Sequence, residues 1–218
     1  MEHIYIAMVD TPGLFAAVIR GFLRQKYIHV VIGMDASLEE AYSFGRRNPR
    51  VPLFAGFEKE DKEKILRAFP TADYMVCELD CSREQKEEIR RRLRQDYRRR
   101  YRTHYAVPGL PFVAAGKPFY LKDQYTCSSY IARLLQDNQI RIARKHFSLV
   151  TPKDFYLYPD KRVIFEGSLA EFVKEEEKQR VLAEQSQTME APKDRDMERS
   201  LREWYGGRPA ERVVAYGS

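Results

Sequence analysis

The order of apolar and polar residues predicts an alternation of strands and helices. Residues 3–9 form a β-rich run, and residues 11–26 predict a helix whose first turn holds a Thr and a Pro. Residues 29–34 and 38–44 flank a short turn and predict a β-hairpin. Residues 72–79 predict a further strand. We therefore expect a domain whose core is built from a sheet and helices.

The segment 83–102 predicts an amphipathic helix with an arginine-rich face, because Ile89, Leu93 and Tyr97 recur at helical spacing. It contains ten basic and four acidic side chains, an excess that equals the net charge of +6 of the whole chain. One interpretation is a solvated helix face. The alternative is a surface for nucleic acid or anionic lipid, since arginines and interleaved tyrosines suit phosphates and stacking.

Two segments are predicted to differ from this pattern. Residues 49–60 are rich in Pro and Gly and are expected to form an ordered loop. Residues 174–218 open with a charged run that extends a helix from Leu169, and beyond Glu184 the composition predicts a largely flexible tail. We therefore place the folded domain at residues 1–173.

The composition is that of a globular protein, with 218 residues of which 44% are apolar and 32% are charged. The apolar runs are shorter than the ~20 residues that cross a bilayer, and the first residues lack the basic start of a secretory signal. We therefore expect a cytoplasmic location. The three cysteines are an odd and sparse set, which favours reduced thiols. Cys77 and Cys81 lack the further ligands of a zinc site, so we expect neither a metal nor a cofactor.

The third cysteine, Cys127, lies where a helix is predicted to begin. Thr126 is a competent N-cap, and Ile131 and Leu135 belong to the predicted buried stripe. A thiol in the first turn faces unpaired backbone N–H groups and the positive end of the helix dipole, which lower its pKa. Cys127 is therefore a candidate nucleophile. The alternative is a small buried apolar residue, as free cysteines often are.

Four histidines are candidates for a catalytic base. His29 opens a predicted strand, from which an imidazole could face a helix N-terminus and form a dyad with a cysteine. A strand histidine can equally have a structural role. His3, His104 and His146 are weaker candidates, because they lie at the start of the chain, after the arginine-rich helix and in a basic stretch.

Several motifs in a fixed order resemble one enzyme family. They are HVVIG at 29–33, EEAYSFGRRNP at 39–49, FAGF at 54–57, YTCSSYIA at 125–132 and VTPKDF at 150–155. Together they resemble the YiiX-type branch of the NlpC-like cysteine hydrolases, in which the papain-like fold is circularly permuted and the histidine strand precedes the cysteine helix. The resemblance covers about residues 3–170. It implies an α+β fold in which an antiparallel sheet packs against helices and the nucleophile lies at a helix N-terminus.

The resemblance also implies a triad with Cys127 as nucleophile and His29 as base. The orienting group would be a polar residue on the strand after the histidine strand, and Glu40 matches that position, although it could also be an exposed strand carboxylate. Tyr42 shares the face of Glu40 and could add a hydroxyl. The oxyanion would be bound by the backbone N–H of Cys127, with Tyr125 as a neighbouring side chain.

These residues predict a cysteine hydrolase or acyltransferase whose substrate is a small peptide, an amide or an acyl lipid. Aromatic residues could line its groove or belong to the core, namely Tyr42, Phe44, Phe54, Phe57, Phe119 and Tyr120. The alternative function is a binding module whose arginine-rich helix contacts an anionic membrane surface or nucleic acid, and of these two partners nucleic acid is the less expected one. The arginines of that surface would be Arg90, Arg91, Arg94, Arg98 and Arg99.

Overall fold

A six-stranded antiparallel sheet forms the centre of the protein in the computed structural model, which describes residues 1–12, 25–46, 55–106 and 115–190 and the single residues 17, 20, 21, 109, 112 and 113. Its strands are β1 (Glu2–Asp10), β2 (His29–Gly33), β3 (Ala41–Arg46), β4 (Ala55–Lys59), β5 (Asp73–Cys81) and β8 (Arg162–Ser168). Their spatial order is β4-β3-β2-β1-β5-β8. Two short strands, β6 (His104–Tyr105) and β7 (Gln124–Tyr125), pair in parallel. The antiparallel sheet and the hairpin of β2 and β3 agree with the predictions.

The described helices are α1 (Lys62–Ala68), α2 (Arg83–Arg98), α3 (Cys127–Asp137), α4 (Pro152–Tyr156) and α5 (Leu169–Glu190). Short 3₁₀ turns cover Arg100–Arg102 and Phe147–Leu149. The chain divides into a unit of Met1–Glu176 and a unit of Glu177–Ser218. Within the described residues, every helix is too short or too polar to cross a bilayer.

Helices pack on both faces of the sheet. In β1, Ile4, Ile6 and Met8 point to a core that also contains residues of α2, α3 and α4. Ala7 and Val9, which alternate with them, point to the opposite core, which contains residues of α5. Full burial of one large aliphatic side chain contributes about 1.5–3 kcal/mol. Strand β1 is therefore buried on both faces, and it lies in the interior of the sheet between β2 and β5.

The arginine-rich helix forms as predicted. Ser82 and Gln85 make a reciprocal capping box at its start, with hydrogen bonds of 2.8 and 3.1 Å. Ile89 and Leu93 are fully buried against the sheet. The polar face of α2 consequently points away from the core.

One prediction for the chain outside these elements needs correction. The loop predicted for residues 49–60 contains β4, because Phe57 is fully buried and pairs across the ladder with Phe44. Gly56 within β4 and the prolines before it hid this strand in the sequence. The helix predicted to continue from Leu169 into the charged run is present, and it extends to Glu190, six residues beyond Glu184. Most of the helix predicted for residues 11–26, and the tail from residue 191 onward, lie outside the described residues.

Candidate active site

Helix α3 begins at Cys127 because Thr126 and Ser129 form a reciprocal capping box at its N-terminus. The Thr126 hydroxyl accepts a hydrogen bond from the Ser129 N–H at 3.1 Å, and the Ser129 hydroxyl accepts one from the Thr126 N–H at 2.9 Å. Ile131 and Leu135 are fully buried and anchor the helix in the core. The predicted helix start at the cysteine is confirmed.

The sulfur of Cys127 lies where two strands separate. Within the described residues, the ladder between β2 and β3 ends at Ile32 and Tyr42, whereas β2 remains paired with β1 as far as His29. The backbone N–H of Val30 donates to the Cys127 sulfur, and so does the N–H of the next residue in α3. The end of the ladder and the start of the helix thus supply two N–H donors to one sulfur atom.

Cys127 and His29 form a hydrogen-bonded pair. Burial acts to raise the pKa of the Cys127 thiol, but the charge of His29 and the hydrogen bonds to the sulfur outweigh burial and lower that pKa. Burial acts to lower the pKa of His29, but the charge of Cys127 and hydrogen bonds with Cys127 and Glu60 outweigh it and raise that pKa. Both directions favour a thiolate beside an imidazolium.

Two oxygen atoms lie behind the imidazole. Nε2 of His29 is 3.2 Å from Oε1 of Glu60 and 3.1 Å from Oγ of Ser43, and the Ser43 hydroxyl also donates to Glu60. Burial acts to raise the pKa of Glu60, but its hydrogen bond with His29 outweighs burial and lowers that pKa. An ionised Glu60 accepts the Nε2 proton, which leaves Nδ1 as the nitrogen that can take the proton of Cys127.

A glycine leaves space beside the serine that contacts the ring. A β-carbon placed on Gly45 would lie 3.1 Å from Oγ of Ser43 and 3.7 Å from Cε1 of His29. A residue with a side chain at this position would press on the Ser43 hydroxyl, whereas the distance to the imidazole would be an ordinary van der Waals contact. Gly45 therefore contributes to the geometry of the site by leaving space for the serine partner of the imidazole.

Glu40 does not orient the imidazole, which corrects the prediction. The Met34 N–H donates to the Glu40 carbonyl at 2.9 Å, so Glu40 lies opposite the far end of β2. Five residues of strand, about 17 Å, separate that end from His29. The Glu40 carboxylate binds the Arg94 guanidinium at 2.7 and 2.9 Å and also pairs with Arg90. The predicted strand β3 does supply a polar group to the imidazole, Ser43, but the carboxylate at the ring is Glu60, which follows β4.

The two predicted tyrosines direct their hydroxyls away from the Cys127–His29 pair. The Tyr42 hydroxyl donates to Glu40 at 3.3 Å. The Tyr125 hydroxyl lies 2.9 Å from the Tyr120 hydroxyl and accepts a hydrogen bond from Arg133 at 2.9 Å. Neither hydroxyl is therefore placed to bind an oxyanion at the sulfur, and both predicted roles are corrected. The physical reason is that both rings are buried, so each hydroxyl bonds to the nearest polar group.

The predicted aromatic groove is mostly core. Tyr42, Phe44 and Phe57 are at most 4% exposed, and Phe44 and Phe57 both pack against Tyr130 of α3. Phe54 lies outside the described residues. Phe119 stacks on Phe112, and Tyr120 packs against Phe147. The buried aromatic residues thus belong to the core against which α3 packs, and they do not line a substrate groove.

Sequence reasoning missed Ser43 and Glu60. Ser43 lies within the EEAYSF motif, and strand alternation places it on the face opposite Tyr42, which was an available signal. Glu60 follows β4 directly, and its N–H donates to the Ala41 carbonyl at 2.9 Å. It is one of several acidic residues in the run EKEDKE at 58–63, so the sequence did not distinguish it from its neighbours.

The arginines of α2 are largely paired. Arg90, Arg91 and Arg94 contact carboxylates on α2 or on Glu40. Arg98 and Arg99 have no ion-pair partner within the part of the chain that the structure describes. Exposed ion pairs of this kind contribute about 0–1 kcal/mol each. The arginine-rich face is therefore less cationic than its composition indicates.

One group of described side chains has the donors of a metal site. The ligand atoms of His3, Glu78 and Asp80 lie within 4.8 Å of one another. Arg162 donates hydrogen bonds to Glu78, and Nδ1 of His3 lies 2.9 Å from Asp80. The Arg162 guanidinium compensates the charge of Glu78 in this group.

Comparisons with protein-family models, with curated proteins and with solved structures found no match to this chain. The resemblance carried by the sequence motifs therefore stays a prediction.

Proposed function

We propose that the protein is a cysteine-dependent hydrolase or acyltransferase that acts on an amide or ester carbonyl. The observation that carries this proposal is the contact of Cys127, in the first turn of α3, with the His29 ring, whose Nε2 faces Glu60 and Ser43. A nucleophile, a base and an orienting group in this order are the parts that covalent catalysis requires.

In the proposed reaction, Nδ1 of His29 takes the proton of Cys127 and the thiolate attacks the carbonyl carbon of the substrate. The tetrahedral intermediate expels the amine or alcohol, which receives the proton from the imidazolium. Water or another acceptor, deprotonated by His29, then attacks the acyl-thioester. This second step releases the acyl product and restores the Cys127 thiol.

The oxyanion would be bound by backbone N–H groups at the start of α3. The N–H of Cys127 has no hydrogen-bond partner among the described residues, as expected for the first position of a helix. One such donor is worth about 3 kcal/mol in the transition state. Cys127 itself is 3% exposed, whereas the His29 side chain is 24% exposed. A substrate would therefore approach the sulfur past the His29 ring.

We further propose that the fold is a circularly permuted papain-like fold, as the motifs imply. The support is the chain order, with the histidine strand β2 nearly 100 residues before the cysteine helix α3, together with the packing of α3 on the antiparallel sheet. Triads of this type are defined by geometry and recur in different chain orders.

Acylation of the enzyme tests the proposed function. Mixed with p-nitrophenyl acetate, the protein should release a burst of nitrophenol equal to its own concentration and carry one acetyl group on Cys127. The Cys127→Ala variant should give no burst, and the matched control Cys77→Ala should give the full burst. Acetylation spread over several residues, or a burst that survives Cys127→Ala, would contradict the proposal.

A second candidate function is binding of an anionic membrane through α2. The observation that favours it is the absence of an ion-pair partner for Arg98 and Arg99 in the described residues, on a groove of about 480 Å³ that also includes Arg90, Arg91 and Arg94. Salt-sensitive retention on phosphatidylserine vesicles should then survive Cys127→Ala and fall in the double variant Arg98→Gln/Arg99→Gln. Retention that this double variant leaves unchanged would identify α2 as a solvated face.

A further inference from the structure

A second concave site lies at the opposite end of α3 from Cys127. It has a volume of about 520 Å³ and is lined by Tyr120, Arg133, Arg141, Arg144, Lys145 and Phe147, among others. Ligand pockets commonly have volumes of about 300–1,000 Å³. The pocket therefore has the size of a small-molecule site and combines cationic with aromatic walls.

Arg133 lines this pocket and is held in place by its neighbours. Its guanidinium lies over the rings of Tyr120 and Phe147, each with a distance of 5.1 Å to the ring centroid. Nη1 donates to the Tyr125 hydroxyl at 2.9 Å. Stacking on two rings and one hydrogen bond orient the guanidinium in advance, so little side-chain entropy is lost when an anion binds.

The pocket has an excess of positive charge. Asp137 is its one carboxylate, against four cationic side chains. Lys145 pairs with Asp154 at 2.8 Å, whereas Arg141 and Arg144 have no ion-pair partner within the described residues. On α2, by contrast, several arginines are compensated by carboxylates. The charge of this pocket is therefore more available to a ligand than that of α2.

We propose that this pocket binds a phosphomonoester whose organic part packs on Tyr120 and Phe147. A phosphomonoester has about two negative charges and three acceptor oxygens, which match the forked donors of several arginines. A carboxylate would engage fewer of these donors. Tyr120 and Phe147 are both partly exposed and line the pocket, so they offer an apolar surface next to the arginines.

The pocket is connected to the candidate active site through one helix. Arg133 lies six residues after Cys127, which is about 9 Å along the axis of α3. Tyr125, whose hydroxyl Arg133 contacts, is two residues before Cys127. The phosphomonoester site does not depend on the proposed chemistry, so its binding is to be measured in both the wild-type chain and the Cys127→Ala variant.

Calorimetric titration of the full chain with phenyl phosphate, inorganic phosphate and phenol tests the proposal. Phenyl phosphate should bind more tightly than inorganic phosphate, and phenol should not bind. The double variant Arg141→Gln/Arg144→Gln should weaken binding by about 10-fold or more. The matched control Arg98→Gln/Arg99→Gln removes the same charge from α2 and should change the affinity by less than about 2-fold.

Arg133 is tested separately because it also contacts buried rings. Arg133→Lys retains the charge but loses the fork, and it should weaken binding of phenyl phosphate while the circular dichroism spectrum stays unchanged. Equal weakening by the Arg141/Arg144 and Arg98/Arg99 double variants would overturn the proposal, as would binding of phenol as tight as that of phenyl phosphate. No binding of any phosphate compound would overturn it too.

Binding to vesicles distinguishes a phosphomonoester that is a lipid headgroup from one that is a free small molecule. Retention on phosphatidic acid vesicles that Arg141→Gln/Arg144→Gln abolishes would assign a lipid headgroup to the pocket. Binding of soluble phenyl phosphate without vesicle retention would assign a free small molecule. Either result supports the same chemistry at Arg133 and its neighbours.

Discussion

Cys77 and Cys127 are both buried free thiols of the same core, yet their pKa values are shifted in opposite directions. Burial raises the pKa of the Cys77 thiol to about 11. Burial acts in the same direction on Cys127, but the charge of His29 and the hydrogen bonds to the sulfur reverse the effect and lower that pKa. The comparison shows that the neighbours of a thiol, and not the extent of its burial, decide whether it can act as a nucleophile.

The backbone explains the difference. Cys77 lies in the middle of β5, where it is opposite Ile6 of β1 and, next to a register shift, opposite Val163 of β8, so its backbone belongs to the sheet. Cys127 lies at the start of a helix, where the first N–H groups have no carbonyl partner within the helix. Cys127 also lies beside an imidazole. The interior of a strand thus disfavours the thiolate form of a cysteine, whereas the start of a helix favours it.

The largest expected effect comes from removing the base. His29→Asn should make Cys127 resemble Cys77, because the charge that lowers the thiol pKa is lost. Turnover of an ester substrate should fall about 10²–10⁴-fold, and the pH midpoint of Cys127 alkylation should move toward alkaline values. A His29→Asn variant that retains full turnover would show that the two thiols differ for another reason.

The pH dependence of alkylation compares the thiols directly. An ordinary thiol with a pKa of 9.0 is about 1% thiolate at pH 7, so a lowered pKa allows Cys127 to react with iodoacetamide up to about 100-fold faster than a free cysteine. Cys77 should not react in the native protein. Peptide mapping of the alkylated sites as a function of pH gives both rates.

The signs of the two pKa shifts define the pH window of the ion pair. The Cys127 thiolate contributes stability that is present above the ordinary thiol pKa and is lost as pH falls through its lowered pKa. The His29 imidazolium contributes stability that is present below the ordinary pKa of 6.5 and is lost as pH rises through its raised pKa. The alkylation rate should therefore be independent of pH between the lowered pKa of Cys127 and the raised pKa of His29. A rate that rises steadily up to pH 9 would contradict the ion pair.

A smaller effect is expected for the orienting group. Glu60→Gln keeps the shape but loses the charge behind the imidazole, and turnover should fall about 10- to 100-fold, as for other partners that orient a functional histidine. Glu40→Gln is the matched control and should leave turnover unchanged, because Glu40 pairs with Arg94. If Glu40→Gln reduces turnover more than Glu60→Gln, the assignment of the third residue is wrong.

The smallest effect concerns stability alone. Cys77→Ser places a hydroxyl in an apolar strand interior and should lower the free energy of unfolding by about 1–3 kcal/mol. Turnover at the remaining folded fraction should not change. Urea denaturation measures the first quantity and an active-site titration corrects the second. A loss of turnover per folded molecule would show that Cys77 is more than a core residue.

The sequence predicted the local features of the site well. Thr126 and Ser129 form a cap that depends on four consecutive residues, so the start of α3 at Cys127 followed from local chemistry. The hairpin that contains His29 followed from alternation around a turn. Strand β4 was missed, because Gly56 within it and Pro52 shortly before it obscured its alternation.

The partners of these groups could not be read from local patterns. Glu40 and Glu60 are both acidic residues at strand ends, and only the hairpin register and the pairing of β3 with β4 place Glu60 at the ring and Glu40 at Arg94. Contacts between residues far apart in the chain depend on register, and a shift of one residue would turn the side chains to the other face.

The amino-acid sequence by itself determined the hairpin of β2 and β3, where the cysteine helix starts and which residues are able to act as nucleophile and base. These properties depend on hydrogen bonds and side-chain alternation over a few neighbouring residues. Only the tertiary structure decided that His29 and the N–H of Val30 contact the Cys127 sulfur, with Glu60 behind the imidazole, while Cys77 lies within the apolar core. The acidity of a buried thiol depends on charges and N–H groups a few ångströms away, and it is the folded chain that sets those distances.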